Sequence, residues 1–409
     1  MSDAQASERT AMPWRPAMVA LMLVIVGIGL AWEVVREALI QRLPAPAGLL
    51  FDPRSASVLT QAAEAELAAG HGAAALALAR RALVAQPFNV EALRVIGLVT
   101  AARSGPDSAD QIMTLAGDWS LRDEPTQAWL FQQRLRHRDY ASAFAHADAL
   151  MRVNGEVRPP LFKGFAALAT ADPRSLAALV GRLGTNPPWR TAFFDSLTTD
   201  PQGQATAAAL AVGLSNSDHP ATKAELSGLF NGLVQTRRYT AADQLWRRLS
   251  SGAKARGQPF DGDFDARESP EPFGWIISAG EGATVEVAAS GDRPGQALKV
   301  EYDGYSTPDL IKTFMVLAPG PFQLSGQIRN ETAEGADRLG WVVKCAEDGK
   351  VLVEVKGPTT MPIGAWRPFA APFAVPSAGC QGQWLQLIAY PGERRTDVAV
   401  WYDKLAVTQ

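Results

Sequence analysis

Three aspartates at alternate positions, Asp261, Asp263 and Asp265, open the stretch FDGDFDARESPEPFGW at residues 260–275. Carboxylates at this spacing can ligate calcium, or can act in pairs as acid and base. In a helix–loop–helix calcium loop they would fill positions one, three and five. Ala266 then stands where that loop requires glycine, and Pro272 stands where it requires a bidentate glutamate. The stretch is therefore not predicted to be a loop of that kind.

No other pattern in the chain predicts catalysis. G-x-S-x-G, H-E-x-x-H and phosphate-loop motifs do not occur, and Gly280-Glu281-Gly282 is followed by Val285 where a dinucleotide motif needs its third glycine. Glu301 and Asp303 could be the carboxylate pair of a glycosidase, but a two-residue spacing of carboxylates is common and does not by itself predict such a site. The four histidines are grouped neither with each other nor with cysteine; they stand at 71, 137, 146 and 219. We predict that the protein is not an enzyme.

Composition and charge describe an ordinary folded chain. Of 409 residues, 47% are hydrophobic and 20% are charged, which favours two or three domains. The 39 basic and 42 acidic residues give a net charge of −3. Because nucleic-acid binding relies on positive charge, nucleic acid is excluded as an expected partner.

An apolar run, AMVALMLVIVGIGLAW, occupies residues 17–32 and has tryptophans at both ends, Trp14 and Trp32. It predicts an uncleaved transmembrane signal anchor at 17–35, preceded by a cytoplasmic tail at 1–16 and followed by a spacer at 36–54. A cleaved signal peptide and a buried helix are the alternatives.

The two cysteines, Cys345 and Cys380, both lie near the C-terminus. They could form one disulfide in an oxidising compartment, or could be two buried thiols. The pair favours a single-pass protein of the bacterial inner membrane with most of the chain in the periplasm.

Residues 55–253 have helical spacing and are rich in alanine, leucine and arginine. The order of Ala63, Ala75, Ala82 and Pro87, followed by Leu93 and Gly97, resembles the tetratricopeptide repeat. The resemblance implies a solenoid of helix pairs with a concave surface for a protein partner. A helical spacer is the alternative. Trp129 and Trp246 are predicted to be core residues of this domain.

After residue 259 the hydrophobic period changes to about two. Strands are predicted at 283–289, 296–302, 311–318, 322–330, 339–346, 350–356, 366–375, 383–390 and 397–407. Many short strands at regular spacing predict an antiparallel β-sandwich or jelly roll at 259–409. The fold class is thus multidomain α + β: a transmembrane helix, an α-helical solenoid and a C-terminal β-sandwich.

The ends of this domain resemble the carbohydrate-binding jelly rolls of the galactose-binding-like fold. The resemblance lies in FDGDFD at 260–265, PFGW at 272–275, LAPGPFQLSG at 317–326 and VWYDKL at 400–405. It implies glycan binding and a structural calcium ion held by Asp261, Asp263 and Asp403. An acidic, solvated strand end is the alternative for these aspartates.

Glycan binding needs exposed aromatic faces next to hydrogen-bonding groups. Trp384, Gln386 and Tyr390 alternate on one face of the strand 383–390 and are the predicted platform. The core is predicted to take Trp275, Trp341 and Trp401 instead.

These patterns together predict a non-enzymatic, membrane-anchored periplasmic adaptor. Its helical repeats would contact a protein and its jelly roll a polysaccharide, in assembly or export of cell-envelope polysaccharide. A structural scaffold that binds no glycan is the second hypothesis, and a polysaccharide-active enzyme is the third.

Overall fold

The computed structural model describes residues 22–28, 31, 32, 35, 45–250, 258–265, 269–278, 280–332 and 334–409. The chain divides into two compact units, Met1–Asn154 and Gly155–Gln409. No helix in the described ranges is both long and apolar enough to cross a membrane, and much of the predicted anchor lies outside those ranges. The boundaries predicted for the tail, anchor, spacer and domains stay predictions.

The described part of the first unit is helical, and alternate helices start at a constant interval. They are α1 (Ala45–Phe51), α2 (Ala56–Ala68), α3 (Gly72–Ala85), α4 (Val90–Ser104), α5 (Asp110–Trp119), α6 (Glu124–Arg136) and α7 (Tyr140–Val153). Helices α2, α4 and α6 begin at residues 56, 90 and 124, so the same start recurs every 34 residues. The pair formed by α4 and α5 is therefore a complete unit, of which the sequence pattern indicated only the opening residues.

Small side chains recur at the same interval and let the helices of each pair approach closely. Ala75, Ala109 and Ala143 are all 0% exposed, at equivalent positions of three successive pairs. Gly97 lies so close to Met113 that no Cβ would fit there without movement of the methionine. Trp129, predicted as core, packs partly buried against this region. Close packing of small residues thus stabilises each helix pair.

Side-chain hydrogen bonds cap the N-termini of α4 and α6, which are one such interval apart. Asn89 accepts from the Ala92 amide, 2.8 Å, and Asp123 caps α6 in the same way. The guanidinium of Arg94 donates to both Asp123 and Glu64, and its side chain is only 10% exposed. Arg94 therefore joins α4 to the neighbouring pair on either side.

In its described residues the second unit begins with the helices α8 (Arg158–Ala171), α9 (Pro173–Leu183), α10 (Arg190–Ser196), α11 (Pro201–Leu214), α12 (Lys223–Gln235) and α13 (Tyr239–Leu249). A buried ion pair joins α10 to α12, with 2.8 Å between Arg190 Nη2 and Glu225 Oε2. Arg190 Nε also donates to Glu225 Oε1 at 3.0 Å, and the remaining donors bond to carbonyl oxygens of Leu183, His219 and Pro220. Because every donor has a partner, the charge is stabilised in the interior.

The strands that the structure describes in the second unit are β1 (Ile276–Ile277), β2 (Ala283–Ala289), β3 (Gln296–Tyr302), β4 (Ile311–Met315), β5 (Gly320–Asn330), β6 (Leu339–Cys345), β7 (Val351–Lys356), β8 (Arg367–Val375), β9 (Gln383–Ala389) and β10 (Val398–Thr408). They form two five-stranded antiparallel sheets, in the orders β1-β4-β9-β6-β7 and β2-β3-β10-β5-β8. The predicted antiparallel β-sandwich is confirmed.

The core between the sheets contains Trp341, as predicted, but not Trp401. Strand β10 has a register shift between Asp403 and Ala406. An extra residue in a strand reverses which face later side chains point to. Trp401 therefore lies on the outer face of its sheet, where it is 5% exposed because the Arg329 guanidinium covers its ring at 4.9 Å. Trp401 is therefore buried, as predicted, but it does not share the inner face with Leu405 and Val407.

Aromatic side chains join α12 and α13 to the sandwich. Trp246 of α13 stacks on Phe273 with ring centroids 4.8 Å apart, and its indole N–H donates to Ser269. Tyr239, also on α13, contacts Phe314 of β4 at 5.5 Å. Trp246 is 2% exposed, which confirms it as a core residue. Helices α12 and α13 thus pack against the sandwich through buried aromatic side chains.

Candidate functional site

Strand β9 places the predicted glycan platform on the outer face of its sheet. Leu385 and Leu387 point into the sandwich core and are 0% and 3% exposed. Because side chains alternate along a strand, Trp384 and Gln386 point the opposite way. Tyr390 directly follows the strand. Its ring lies over Gly340 of the neighbouring strand β6, so it is on this outer face as well.

Trp384 occupies the end of this face that adjoins the helices. Its ring meets the Phe314 ring edge-on at 5.0 Å. Phe314 is 1% exposed and also contacts Tyr239 and Phe273. One side of Trp384 is consequently part of the aromatic contact between helices and sandwich, which sequence alternation alone could not indicate.

Tyr390 lies about 20 Å further along the strand direction. Its backbone N–H donates to the Arg338 carbonyl at 2.7 Å, which holds the residue against β6. Burial, together with a hydrogen bond to the Glu354 carboxylate, raises the pKa of the Tyr390 hydroxyl. The Lys356 ammonium lies 3.9 Å from the ring centroid. The ring is thus fixed in place by two charged neighbours.

The middle of the face carries Gln386, paired in register with Lys312 on one side and Val342 on the other. Its amide provides both hydrogen-bond donors and acceptors. The three predicted platform residues are therefore brought to one face, in the order aromatic, amide, aromatic. Such a row can stack on sugar rings and bond to their hydroxyl groups.

Sequence reasoning missed the charged side chains on the same face. Lys312, Lys344, Lys356 and Glu354 are paired across the strands with outward-facing residues of β9 and β6. The same alternation that identified Trp384 applies to each of their strands, so the signal was present.

The three predicted calcium ligands do not form a metal-binding group in the described part of the chain. The N–H of Leu405 donates to the Gly262 carbonyl at 2.7 Å, so the aspartate stretch does pair with β10. Asp403 faces Arg293, with 2.5 Å between Oδ2 and Nη2. Asp261 Oδ1 accepts from the Asp265 amide. A guanidinium therefore supplies the cation beside Asp403, and the calcium ion implied by the resemblance stays a prediction.

Burial is the main cause that raises the pKa of Asp403, and the attraction of Arg293 opposes it. The carboxylate of Asp263 is close enough to contribute to the same rise. The two aspartates are thus neighbours, as the pairing of the domain's two ends predicts.

Cys345 and Cys380 are joined by a disulfide, with their Cα atoms 5.0 Å apart. It links the end of β6 to the loop that enters β9. The Cys380 carbonyl also accepts from Gln383 Nε2 at 2.6 Å. The disulfide therefore restrains the loop that leads into Trp384.

Glu301 and Asp303, the acid pair considered for glycoside hydrolysis, have separate structural partners. Glu301 pairs with Lys299 at 2.6 Å, while Asp303 accepts from the backbone of Tyr305 and Ser306. The prediction that the protein is not an enzyme remains a prediction.

No family model matches the chain, and no curated protein matches it. Among solved structures, its C-terminal part is similar to β-sandwich carbohydrate-binding modules. The xylan-binding domain CBM22-1 of Paenibacillus barcinonensis Xyn10C has 13% identity and a TM-score of 0.27, covering 36% of this chain and 90% of that chain. A structure titled "CBM4 structure and function" has 15% identity and a TM-score of 0.28, over 37% and 98%. The cellulose-induced protein Cip1 has 18% identity and a TM-score of 0.26, over 36% and 95%. Similarity at this level assigns no ligand to this chain.

Proposed function

We propose that the protein is a non-enzymatic, membrane-anchored adaptor whose β-sandwich binds a polysaccharide and whose helical repeats bind a protein. The single observation that carries the glycan role is the outward row Trp384, Gln386 and Tyr390 on β9. Two aromatic rings about 20 Å apart suit a polymer better than a single sugar. Aromatic faces with a polar group between them provide stacking and orientation together.

Support for a protein partner comes from the first unit. Its helix starts recur every 34 residues, the period of the tetratricopeptide repeat. The unit also exposes large apolar side chains close together: the rings of Phe88 and Trp119 are 5.3 Å apart, and Phe88 is 75% exposed. Exposed apolar groups of this kind are typical of protein contact surfaces.

The proposed setting is the periplasmic side of a bacterial inner membrane, in assembly or export of cell-envelope polysaccharide. The disulfide between Cys345 and Cys380 supports an oxidising compartment, because such bonds persist there. The apolar run at 17–32 supports attachment to a membrane.

The glycan role is tested with detergent-purified full-length protein on an array of polysaccharides. We expect binding that Tyr390→Ala abolishes and Tyr390→Phe keeps, because the ring supplies the stacking face. Tyr305→Ala is the matched control, since Tyr305 is a 53% exposed tyrosine elsewhere in the same sandwich. Release of sugar from any polymer would overturn the non-enzymatic part of the proposal.

A structural scaffold is the second candidate function. The contact of Trp384 with Phe314, and through it with α13, favours this alternative, because it uses part of the platform for internal packing. If the folded protein binds no polysaccharide on the array, the scaffold is the better description.

A further inference from the structure

The outward face around Trp384 and Tyr390 has an excess of positive charge. Four charged side chains lie in register on this face along β4, β6 and β7: Lys312, Lys344, Lys356 and Glu354. Three are basic and one is acidic, whereas the chain as a whole has a net charge of −3. The local charge is therefore opposite in sign to that of the whole molecule.

Each aromatic ring of the platform has an ammonium group beside it. Lys356 Nζ lies 3.9 Å from the centroid of the Tyr390 ring, and Lys312 Nζ lies 5.4 Å from that of Trp384. Lys344 is paired in register with Trp384 from the other neighbouring strand. Trp384 is therefore flanked by a lysine on each side along the sheet.

Only one of the three lysines has a counter-charge in the described part of the chain. Lys356 Nζ is 3.5 Å from Glu354 Oε1, while Lys312 and Lys344 form no ion pair with a described carboxylate. Among the described residues, the two ammonium groups beside the partly buried Trp384 indole thus lack an ion-pair partner. A ligand that brings carboxylates to them would complete the charge pairing.

We infer that this face binds an acidic polysaccharide whose sugars carry carboxylate groups, in preference to a neutral one. The inference rests on the proposed function. A uronic acid residue has an apolar C–H face that stacks on an aromatic ring, and a carboxylate at its edge that reaches an adjacent ammonium. Repetition of that unit along a polymer matches the repetition of ring and lysine along the sheet.

Calorimetric titration of the detergent-purified full chain tests the inference. The probes are polygalacturonate, alginate and hyaluronan, each compared with a carboxyl-reduced, neutral form of the same polymer. We expect at least one acidic polymer to bind about tenfold more tightly than its neutral form, since each charge-assisted contact accounts for about that factor. Binding should weaken as salt is raised, because the contacts are ionic.

A charge-matched pair of variants makes the test specific. Lys312→Gln/Lys344→Gln should lose about tenfold in affinity for the acidic polymer. Lys163→Gln/Lys223→Gln removes the same charge from exposed helical positions and should leave affinity unchanged. Equal losses in both variants would mean non-specific attraction and would overturn the inference.

The remaining outcomes separate this inference from the proposed function. If neutral and acidic forms bind equally and the platform lysines have no effect, the preference for acidic polymers is wrong while glycan binding stands. If none of the acidic polymers binds and a neutral one does, the inference is again overturned. If the folded protein binds no polymer of either kind, both proposals fail.

Discussion

Trp246 and Phe273 stack face to face, with an interplanar angle of 15°, although one belongs to helix α13 and the other to the segment that precedes β1. Phe230 of α12 contacts Phe273 edge-on at 5.4 Å. All three side chains are at most 2% exposed. The sandwich is therefore not a module that moves independently of α12 and α13.

The first prediction is that Trp246→Ala destabilises the helices and the sandwich of the second unit together. Removal of a large buried ring should lower the free energy of unfolding by about 3–5 kcal/mol. Urea unfolding followed by far-ultraviolet and near-ultraviolet circular dichroism would measure the loss. Leu121→Ala, at a 65% exposed site in the first unit, is the control and should change it by less than about 0.5 kcal/mol. If the sandwich of Trp246→Ala unfolds at the same urea concentration as that of the wild type, the packing of α13 against the sandwich is contradicted.

Much of the sandwich could be predicted from sequence because one face of each strand is buried. The strand predicted at 296–302 is β3, and that predicted at 283–289 is β2, residue for residue. When the partner sheet covers one face of a strand, the alternation of apolar and polar side chains indicates which face is buried. The same alternation predicts one outward face for Trp384, Gln386 and Tyr390, and all three lie on that face.

Features that depend on non-local packing could not be predicted in this way. The even spacing of Trp401 with Leu405 and Val407 predicts one shared inner face, but the bulge between them breaks that spacing. The contact between Trp384 and Phe314 lies where the helices cover the sheet, and no local pattern indicates which strand they cover. Periodicity thus predicts on which face of a strand a side chain lies, but not which other elements pack against that face.

The second prediction compares one substitution at two helical glycines. A Cβ on Gly232 of α12 would lie 2.5 Å from the Thr198 carbonyl oxygen, whereas one on Gly164 of α8 would meet nothing within 4 Å. Gly232→Ala should therefore lower the free energy of unfolding by about 1–3 kcal/mol through overpacking. Gly164→Ala should raise it by about 0.5–1 kcal/mol, because alanine favours the helix. Denaturant titration of both variants checks the sign, and a change of the same sign at the two sites would count against the described packing.

The third prediction concerns the pH dependence of stability. Asp303 accepts hydrogen bonds from the Ser306 and Tyr305 amides and from the Ser306 hydroxyl, and the first of these is the main cause that lowers its pKa from 3.8 to about 2. Because the pKa is lower in the folded state, the stabilisation is present above the unfolded value and is lost as pH falls towards the folded one.

The stability difference between wild type and Asp303→Asn should consequently be largest near neutral pH and should shrink between pH 3.8 and about 2. Thermal unfolding across this range measures it. Ser306→Ala removes the hydroxyl donor to Asp303. In that background, the loss of stability caused by Asp303→Asn should be smaller but still present. A difference that is constant over the acidic range would show that Asp303 is not held in its ionised form.

The fourth prediction concerns the disulfide between Cys345 and Cys380, which closes a loop with a sequence separation of 35 residues. A loop of that size is expected to stabilise the folded state by about 3–4 kcal/mol by restricting the unfolded chain. Dithiothreitol should therefore lower the unfolding midpoint of the wild type to that of Cys345→Ala/Cys380→Ala, and should leave the double variant unchanged.

Alkylation of the native protein without reductant should label neither cysteine. Labelling of both cysteines would show that the native protein has no disulfide, and the support for an oxidising compartment would be lost. Because the bond restrains the loop before β9, we also expect the double variant to bind polysaccharide more weakly at temperatures where it is still folded.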